Sequence, residues 1–261
     1  MGVKDISVLG FFYCSLLLLI PMVIDVVFKL RLFSSIAISI VRMSVQLVFA
    51  GLFLTVLFKL DNLLFSLLWV LIMILVATVN VINTSDLKLI KFFWPTMISF
   101  IFSTLFIVLY FNGLVVGLDN VFVSKYLIII SGMIMGNSLK NNIVGLSTFY
   151  KSVQRNENRY LYSLSCGTTL WEALSPFIKE SLLLAFKPTI ATMATMGIIA
   201  LPGMMTGQIL GGSDPLVAIK YQIAIMIAIF VATVLSLSFT IILTIRKSFN
   251  AYGILNKEIF K

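Results

Sequence analysis

Apolar runs of about 20 residues recur along this chain, and that is the length a helix needs to cross the hydrocarbon core of a bilayer. No water is present there to satisfy backbone N–H and C=O groups, so a spanning segment must close its own hydrogen bonds. The 261 residues are 60% hydrophobic and only 11% charged, and the mean hydropathy is +1.10. That is the composition of a membrane protein rather than a soluble one. The expected fold is an all-α polytopic membrane protein, a single transmembrane domain over residues 1–261 with about seven helices of spanning length.

The runs fall at Ile6–Phe28, Phe33–Phe58, Leu63–Ile82, Phe92–Val116, Val121–Leu139, Leu182–Leu210 and Pro215–Ile245. No cleavable signal peptide is expected, since Lys29 and Arg31 follow the first run without a small-residue cleavage site. Asp25 and Lys29, four apart, predict a helical pair facing water. Arg42 and Gln46 in the second run also lie four apart, on one helix face. An ionisable side chain within a span is expensive in lipid, which places Arg42 in the bundle interior on backbone carbonyls. Asn80 and Asn83 mark the polar end of the third run, and Trp94 an interface. Gly132, Gly136, Asn137 and Ser138 in the fifth are small or polar residues that let helices approach closely.

One stretch breaks the pattern: TIATMATMGIIALPGMMTGQILGGSDPLVAIKYQIA, Thr189 to Ala224. Pro202 lacks an N–H and clashes with the turn before it. Gly203 and Gly207 weaken helix further. Asp214 and Pro215 supply a cap and a first helical residue for the restart. The interruption is expected at Leu201-Pro202-Gly203, with a side chain at Gly203 intruding where backbones meet. Unpaired backbone at membrane depth is tolerated only where protein or a water-lined cavity covers it, so the stretch should border a path or a partner chain.

Net charge is +9. Basic residues concentrate in alternate loops: Lys29 and Arg31; Lys88 and Lys91; Lys151, Arg155 and Arg159; then the C-terminus. The opposite set, with Lys4 and Asp5, Lys59 and Asp61, Asp119 and Lys125, and Asp214, is poorer. The asymmetry puts the N-terminus outside and the C-terminus in the cytoplasm. It also accounts for the positive charge without nucleic acid. There is no histidine, which removes imidazole metal sites and His-based catalysis. Cys14 and Cys166 form no ligand or disulfide motif. No phosphate-loop motif is present, so the chain binds no nucleotide of its own by that route. With no paired membrane carboxylates either, it does not read as an enzyme.

The longest polar segment is Lys151 to Glu180, KSVQRNENRYLYSLSCGTTLWEALSPFIKE. It predicts a helix leaving the membrane, a turn at Cys166-Gly167-Thr168, and a short helix capped by Thr168 or Thr169 and ending near Pro176. Such an element can transmit a partner's movement into the bundle. The alternative is an interfacial helix on lipid headgroups, to which Glu157, Glu172 and Glu180 are poorly suited.

Two segments, GIIALPGMMTGQILGGSDPLVAIKYQI (Gly197–Ile223) and GMIMGN (Gly132–Asn137), resemble the FetB family. These are membrane permeases of an ATP-binding-cassette transporter implicated in iron export, and the plant aluminium-tolerance permeases are similar. Weaker matches are Val41-Arg42 with Gln46-Leu47, and the Leu164–Thr169 element. The resemblance implies a multi-pass protein of the cell membrane, a homodimer bound to a separate cytoplasmic ATPase that would hold ATP and Mg. It implies a coupling helix with Gly167 at its turn and Thr168 and Glu172 beside it. An acid and a lysine three residues later, usual in related permeases, are replaced here by Ala191 and Ala194. Both are absent together, as expected of a buried pair.

The implied path includes Arg42, Gln46, Met133, Asn137, Thr189, Thr192, Met193, Met196, Met204 and Met205. Pro202, Gly203, Gly207, Asp214 and Pro215 form its outer gate. Methionine thioethers favour soft ions, whereas iron(II) would need oxygen or nitrogen ligands. Methionine also simply fills irregular gaps in a bundle. The expected function is the permease of an ATP-driven exporter of iron or another metal ion. The alternatives are an exporter of a small organic molecule and a secondary transporter. The latter predicts matched broken segments in an inverted repeat, and only one Leu-Pro-Gly break is present.

Overall fold

A computed structural model describes residues 6–199, 201–250 and 252–261. Lys4 and Asp5, used above for orientation, lie outside the described residues. Among the described residues the chain is predominantly helical, with no strand beyond two isolated bridges. Ten α-helices follow one another: α1 (Val8–Leu16), α2 (Leu19–Phe28), α3 (Phe33–Leu60), α4 (Leu63–Thr84), α5 (Leu89–Tyr110), α6 (Ser124–Arg155), α7 (Glu157–Ser165), α8 (Leu170–Thr195), α9 (Gly203–Leu210) and α10 (Pro215–Ser248). Among the described residues, five segments are apolar and long enough to span: Val8–Phe28, Phe33–Leu60, Leu63–Thr84, Leu89–Val115 and Pro215–Ser248. Helices α6, of 32 residues, and α8, of 26, have the length to cross as well but carry more polar residues.

The first run is two helices, interrupted at Leu17-Leu18. Pro21 lies four residues past Leu17, and its ring and missing N–H disrupt the helical bond to that carbonyl. The expected Asp25–Lys29 pair does not form. Lys29 and Arg31 take left-handed conformations, φ 52° and 59°, so the chain leaves helical geometry before the fourth residue is reached. The Asp25 carboxylate, buried, instead accepts the N–H groups of Leu32 (2.8 Å) and Phe33 (2.9 Å). It satisfies the open N-terminus of α3 across a tight corner.

The core lies among α4, α5, α6, α8 and α10, with α6 central. Small residues let α6 and α10 approach closely. A Cβ added at Gly145 would sit 2.5 Å from both Leu237 methyls, so any larger residue there would force the Leu237 side chain to move. Alongside runs a buried polar seam. Asn142 donates to Ser138 O and Ser236 Oγ, both at 2.8 Å, and the Tyr150 and Ser248 hydroxyls meet at 2.9 Å. Bonds of this kind are worth roughly 0.6–2 kcal/mol each in a bilayer.

The two ends of the bundle differ. At one, the tail after α10 crosses the α4–α5 loop and α7. Lys88 N–H donates to Ile259 O (2.8 Å), Lys261 N–H to Asp86 O (3.1 Å), and the Tyr160 hydroxyl to Gly253 O (2.6 Å). Lys151 pairs with Asp86 at 2.8 Å and holds that carboxyl below its usual range. Lys257 pairs with Glu157 at 3.0 Å. Burial pushes the Tyr160 hydroxyl up to about 12. At the other end, Asn112 donates to Val121 O (2.8 Å) and Ser124 N–H to Asp61 (3.1 Å). Three of the four basic groups, at Lys88–Lys91, Lys151–Arg159 and the C-terminal tail, thus meet at one end.

Candidate functional site

Helix α8 links the two ends. It does not stop near Pro176. Pro176 and Pro188 each cost one backbone bond, yet Leu174, Phe177, Ser181 and Ala185 are buried and hold the helix through both. Its 26 residues make a rod of about 39 Å.

At one end of the rod is an elbow. Gly167 turns the chain with φ +88°, a conformation that L side chains rarely adopt, and its Cβ position is open. Thr168 donates to Ser163 O at 2.8 Å, closing the turn. Thr169 is the cap. Its hydroxyl accepts from Glu172 N–H (3.3 Å), while the Glu172 carboxylate takes the Thr169 N–H (2.8 Å) and hydroxyl (2.7 Å). The backbone bond from Thr169 holds the Glu172 carboxyl below its usual range. Tyr162 and Trp171, 72% and 45% exposed, flank the tip.

At the other end α8 gives out at Thr195. Met196 is extended and Gly197 has φ +86°. The interruption therefore opens at Met196-Gly197, ahead of the expected Leu201-Pro202-Gly203, because Gly197 turns the chain first. Thr195 O accepts from both Ile198 and Ile199, whose side chains are 90% and 78% exposed. Pro202 directly precedes α9, its carbonyl accepting the Thr206 N–H (3.0 Å) and hydroxyl (2.7 Å). Nothing lies within 4 Å of a Cβ built on Gly203 or Gly207, so within this chain no close approach demands glycine there. Gly212, φ +95°, makes the next turn. Asp214 then caps α10, accepting Leu216 N–H at 2.7 Å, with Pro215 at the first helical position.

Helix α9 and the start of α10 separate two cavities. The first, about 350 Å³, is lined by Met193 of α8 and Met196 just past its end, Pro202 and Met205, and Gln222 and Met226 of α10. The second, about 590 Å³, is lined by Tyr126 and Met133 of α6, Gly203, Met204, Gly207 and Gln208 of α9, and Tyr221 of α10. Four methionines in the first and two in the second make six of the chain's 12. The Gln222 side chain is buried, donates to Met196 Sδ at 3.7 Å, and leaves its Oε1 without a partner; the Gln208 Oε1 is likewise unpartnered.

The sequence-predicted path residues divide accordingly. Met193, Met196 and Met205 share the first cavity, and Met133 and Met204 the second. Thr189 accepts from Asn141 at 3.1 Å, tying α8 to α6. Thr192 and Asn137 are exposed and bonded back to Pro188 O and Met133 O. Neither lines either of these two cavities. Arg42 and Gln46 are not in the bundle interior: both are exposed along an external groove of α3. The reason is that α3 packs on α6 only near its C-terminal end, where Leu57 is buried, leaving its polar half outside this chain's own bundle. Ala191 and Ala194 are also exposed, so the pair they replace would not have been buried within one chain.

Sequence reasoning missed Gln222, Gln208, Asn141, Asn142 and Gly197. For Gln222 and Asn142 the signal was present, a polar side chain within an apolar run, the same argument applied to Arg42. Gly197 had none, since its need for glycine comes from a backbone angle set in three dimensions.

The family model of UPF0014, an uncharacterised protein family, matches residues 8–249. A UPF0014 membrane protein of Bacillus subtilis, YjkA, is 30% identical over 236 residues, 90% of this chain and 92% of that protein. The probable iron export permease protein FetB of Escherichia coli is 31% identical over 224 residues, 85% of each. The Arabidopsis thaliana protein ALUMINUM SENSITIVE 3 is 34% identical over 120 residues, 46% of this chain and 44% of that one. No solved structure matches. The chain belongs to the UPF0014 family and is a multi-pass membrane protein.

Proposed function

We propose that this UPF0014 membrane protein is the permease subunit of an ATP-driven exporter that moves a metal ion out of the cytoplasm. One observation carries the reading: a single helix, α8, runs from the capped, exposed elbow at Gly167 to the interruption beside the two cavities. A force applied at the elbow reaches the cavity wall along a rod rather than through a loop. The elbow would dock in a cleft of a separate cytoplasmic ATPase, which supplies ATP and Mg. Exposed Tyr162 and Trp171 beside the turn suit a protein partner, since aromatic anchors dominate such contacts. The break with α9 and the Gly211-Gly212 turn would form the outer gate. The permease named FetB supports the metal cargo, and the basic elbow end supports its cytoplasmic placement.

The exporter is proposed to work as a homodimer. Ser35, Ser39, Arg42 and Gln46 form one exposed stripe of α3, and lipid offers such groups nothing. A second reading, export of a small organic molecule, is favoured by the 590 Å³ cavity, which lies in the size range of small-molecule sites.

Native mass measurement of the detergent-extracted assembly, with a co-expressed phosphate-loop ATPase, tests the reading. Equal numbers of permease and ATPase chains are expected, with ATP hydrolysis stimulated by a metal ion. A stable chain that never associates with an ATPase would overturn it.

A further inference from the structure

The first cavity has a composition that the exporter reading does not by itself require. Methionine makes up 12 of 261 residues, yet Met193, Met196, Met205 and Met226 converge there. Gap-filling by flexible side chains predicts methionines scattered through the core. Here they come from α8, the residue just past its end, α9 and α10, and surround one space. The polar content of that space is equally specific. Gln222 is 5% exposed, its amide N–H rests on Met196 Sδ, and its carbonyl oxygen has no partner. A buried amide oxygen left unpaired carries a desolvation cost that a bound cation would remove. Among the described residues, no carboxylate, histidine or cysteine lines the cavity.

From this donor set we propose that the 350 Å³ cavity is a binding site for a soft monovalent cation of the Cu(I) or Ag(I) type, held by thioethers with Gln222 alongside. The inference rests on the metal-exporter reading and narrows its cargo. Thioether sulfur selects soft ions, while hard or borderline divalent ions require several oxygen or nitrogen ligands. A single amide oxygen is too few for those. Neutral ligands also leave a divalent charge uncompensated in an apolar setting, whereas one positive charge is far less costly to desolvate. The C-terminal end of α8, at Thr195, carries partial negative charge toward the same break and favours a cation. Met196 is both the first residue off that helix and the sulfur that Gln222 touches, so occupancy and the geometry of the interruption are coupled.

The test uses the full chain in lipid nanodiscs, with Ag(I) as an air-stable probe and Fe(II) under anaerobic conditions as the comparison. Competition against a chelator of known affinity should show one Ag(I) per chain, with X-ray absorption reporting a first shell dominated by sulfur. Met193→Leu/Met196→Leu conserves volume and should weaken Ag(I) at least tenfold, as should Gln222→Leu. Met97→Leu, on α5 and outside both cavities, should leave it unchanged. Circular dichroism and melting separate loss of binding from loss of fold. An unaltered affinity in folded Met193→Leu/Met196→Leu would overturn the proposal. So would tighter Fe(II) than Ag(I) binding, or displacement of Ag(I) only by an organic solute, and either would leave the exporter standing. Failure of any metal to stimulate the ATPase in the assembled transporter would instead count against the exporter reading itself.

Discussion

The two ends of α8 are built on opposite lines. At the elbow side chains close the turn and start the helix: Thr168 donates to Ser163, and Thr169 and Glu172 cap each other. At the interruption, α8 ends on an extended Met196 and a glycine turn, and the next side chains, Ile198 and Ile199, stand almost fully exposed. Yet each end turns on a glycine of nearly equal φ, +88° at Gly167 and +86° at Gly197, with nothing within 4 Å of either Cβ position. The local backbone requirement is therefore the same, and what differs is the surrounding structure. The comparison teaches that the elbow is fixed by its own side-chain hydrogen bonds, while the break rests on a backbone turn with open surroundings.

The strongest way to break that comparison is to substitute the two glycines identically. A non-glycine residue at such a φ costs on the order of 1–3 kcal/mol, and a β-branched one lies at the upper end. Gly167→Val should reduce export to background, because the docking turn can no longer form. Binding of cargo at the far end should persist. Gly167→Asn, tolerant of positive φ, should recover much of the export. Vesicle transport and ATPase assays on the same preparation check this, and normal export by Gly167→Val would remove the elbow from the mechanism.

Gly197→Val should act the other way round, with a somewhat smaller loss, about tenfold in export. The open surroundings let the break adjust in part. The ATPase should still co-purify, but cargo binding should weaken. If both valine variants fail in the same assay, whether by losing the ATPase or by losing cargo, the two ends are not functionally distinct.

A milder probe sharpens the elbow side. Thr169→Ala removes the cap, a loss of about 1 kcal/mol of helix stability, and should lower export a few-fold without changing cargo binding. The same cap carries a pH signature. The folded Glu172 carboxyl titrates below its ordinary value because Thr169 donates to the charged form. Its contribution is therefore complete above the ordinary glutamate range and disappears as pH falls through the depressed value. Glu172→Gln should flatten this acid dependence of ATPase association. An unchanged acid profile would show that the cap does not govern docking.

How much of this was legible in the sequence depends on what each residue answers to. Five of the seven expected span positions were legible because hydropathy and length are local. Burial within the bundle was not: Val8–Phe28 and Phe33–Leu60 have hydropathies of 2.4 and 2.0, close to the 2.6 of Leu63–Thr84, yet 6% of each is buried against 39%. Lipid and protein core are both apolar, so the same signal serves both. The cap at Thr169 and the restart at Asp214-Pro215 were legible because caps use residues adjacent in sequence. Pro176 misled, since packing of Leu174, Phe177 and Ser181 outweighs one lost hydrogen bond. The cavities were half legible. Met193, Met196 and Met205 were singled out, but Gln222 and Met226 join them only because α10 folds back across the break.

The smallest effect should come from Pro202→Ala, which the sequence alone would rank highest. Were Pro202 the cause of the interruption, alanine would restore the N–H, remove the clash and straighten the helix through it. The structure assigns the cause elsewhere. The chain has already turned at Gly197, and Pro202 sits outside α9 with φ −66° and ψ 143°, as its N-cap. Alanine reaches those angles without strain, and the Pro202 carbonyl that receives Thr206 is kept. What is lost is only the restriction proline places on the unfolded chain, roughly 0.4–1 kcal/mol. Export by Pro202→Ala should therefore stay within about twofold of the parent. Cysteine accessibility at Met204 should keep whatever dependence on the ATP cycle the parent shows. Gly197→Val/Pro202→Ala should be no worse than Gly197→Val alone. A tenfold loss from Pro202→Ala, or a double variant much worse than either single one, would move the hinge from Gly197 to the proline and make the break a single unit from Met196 to Gly203.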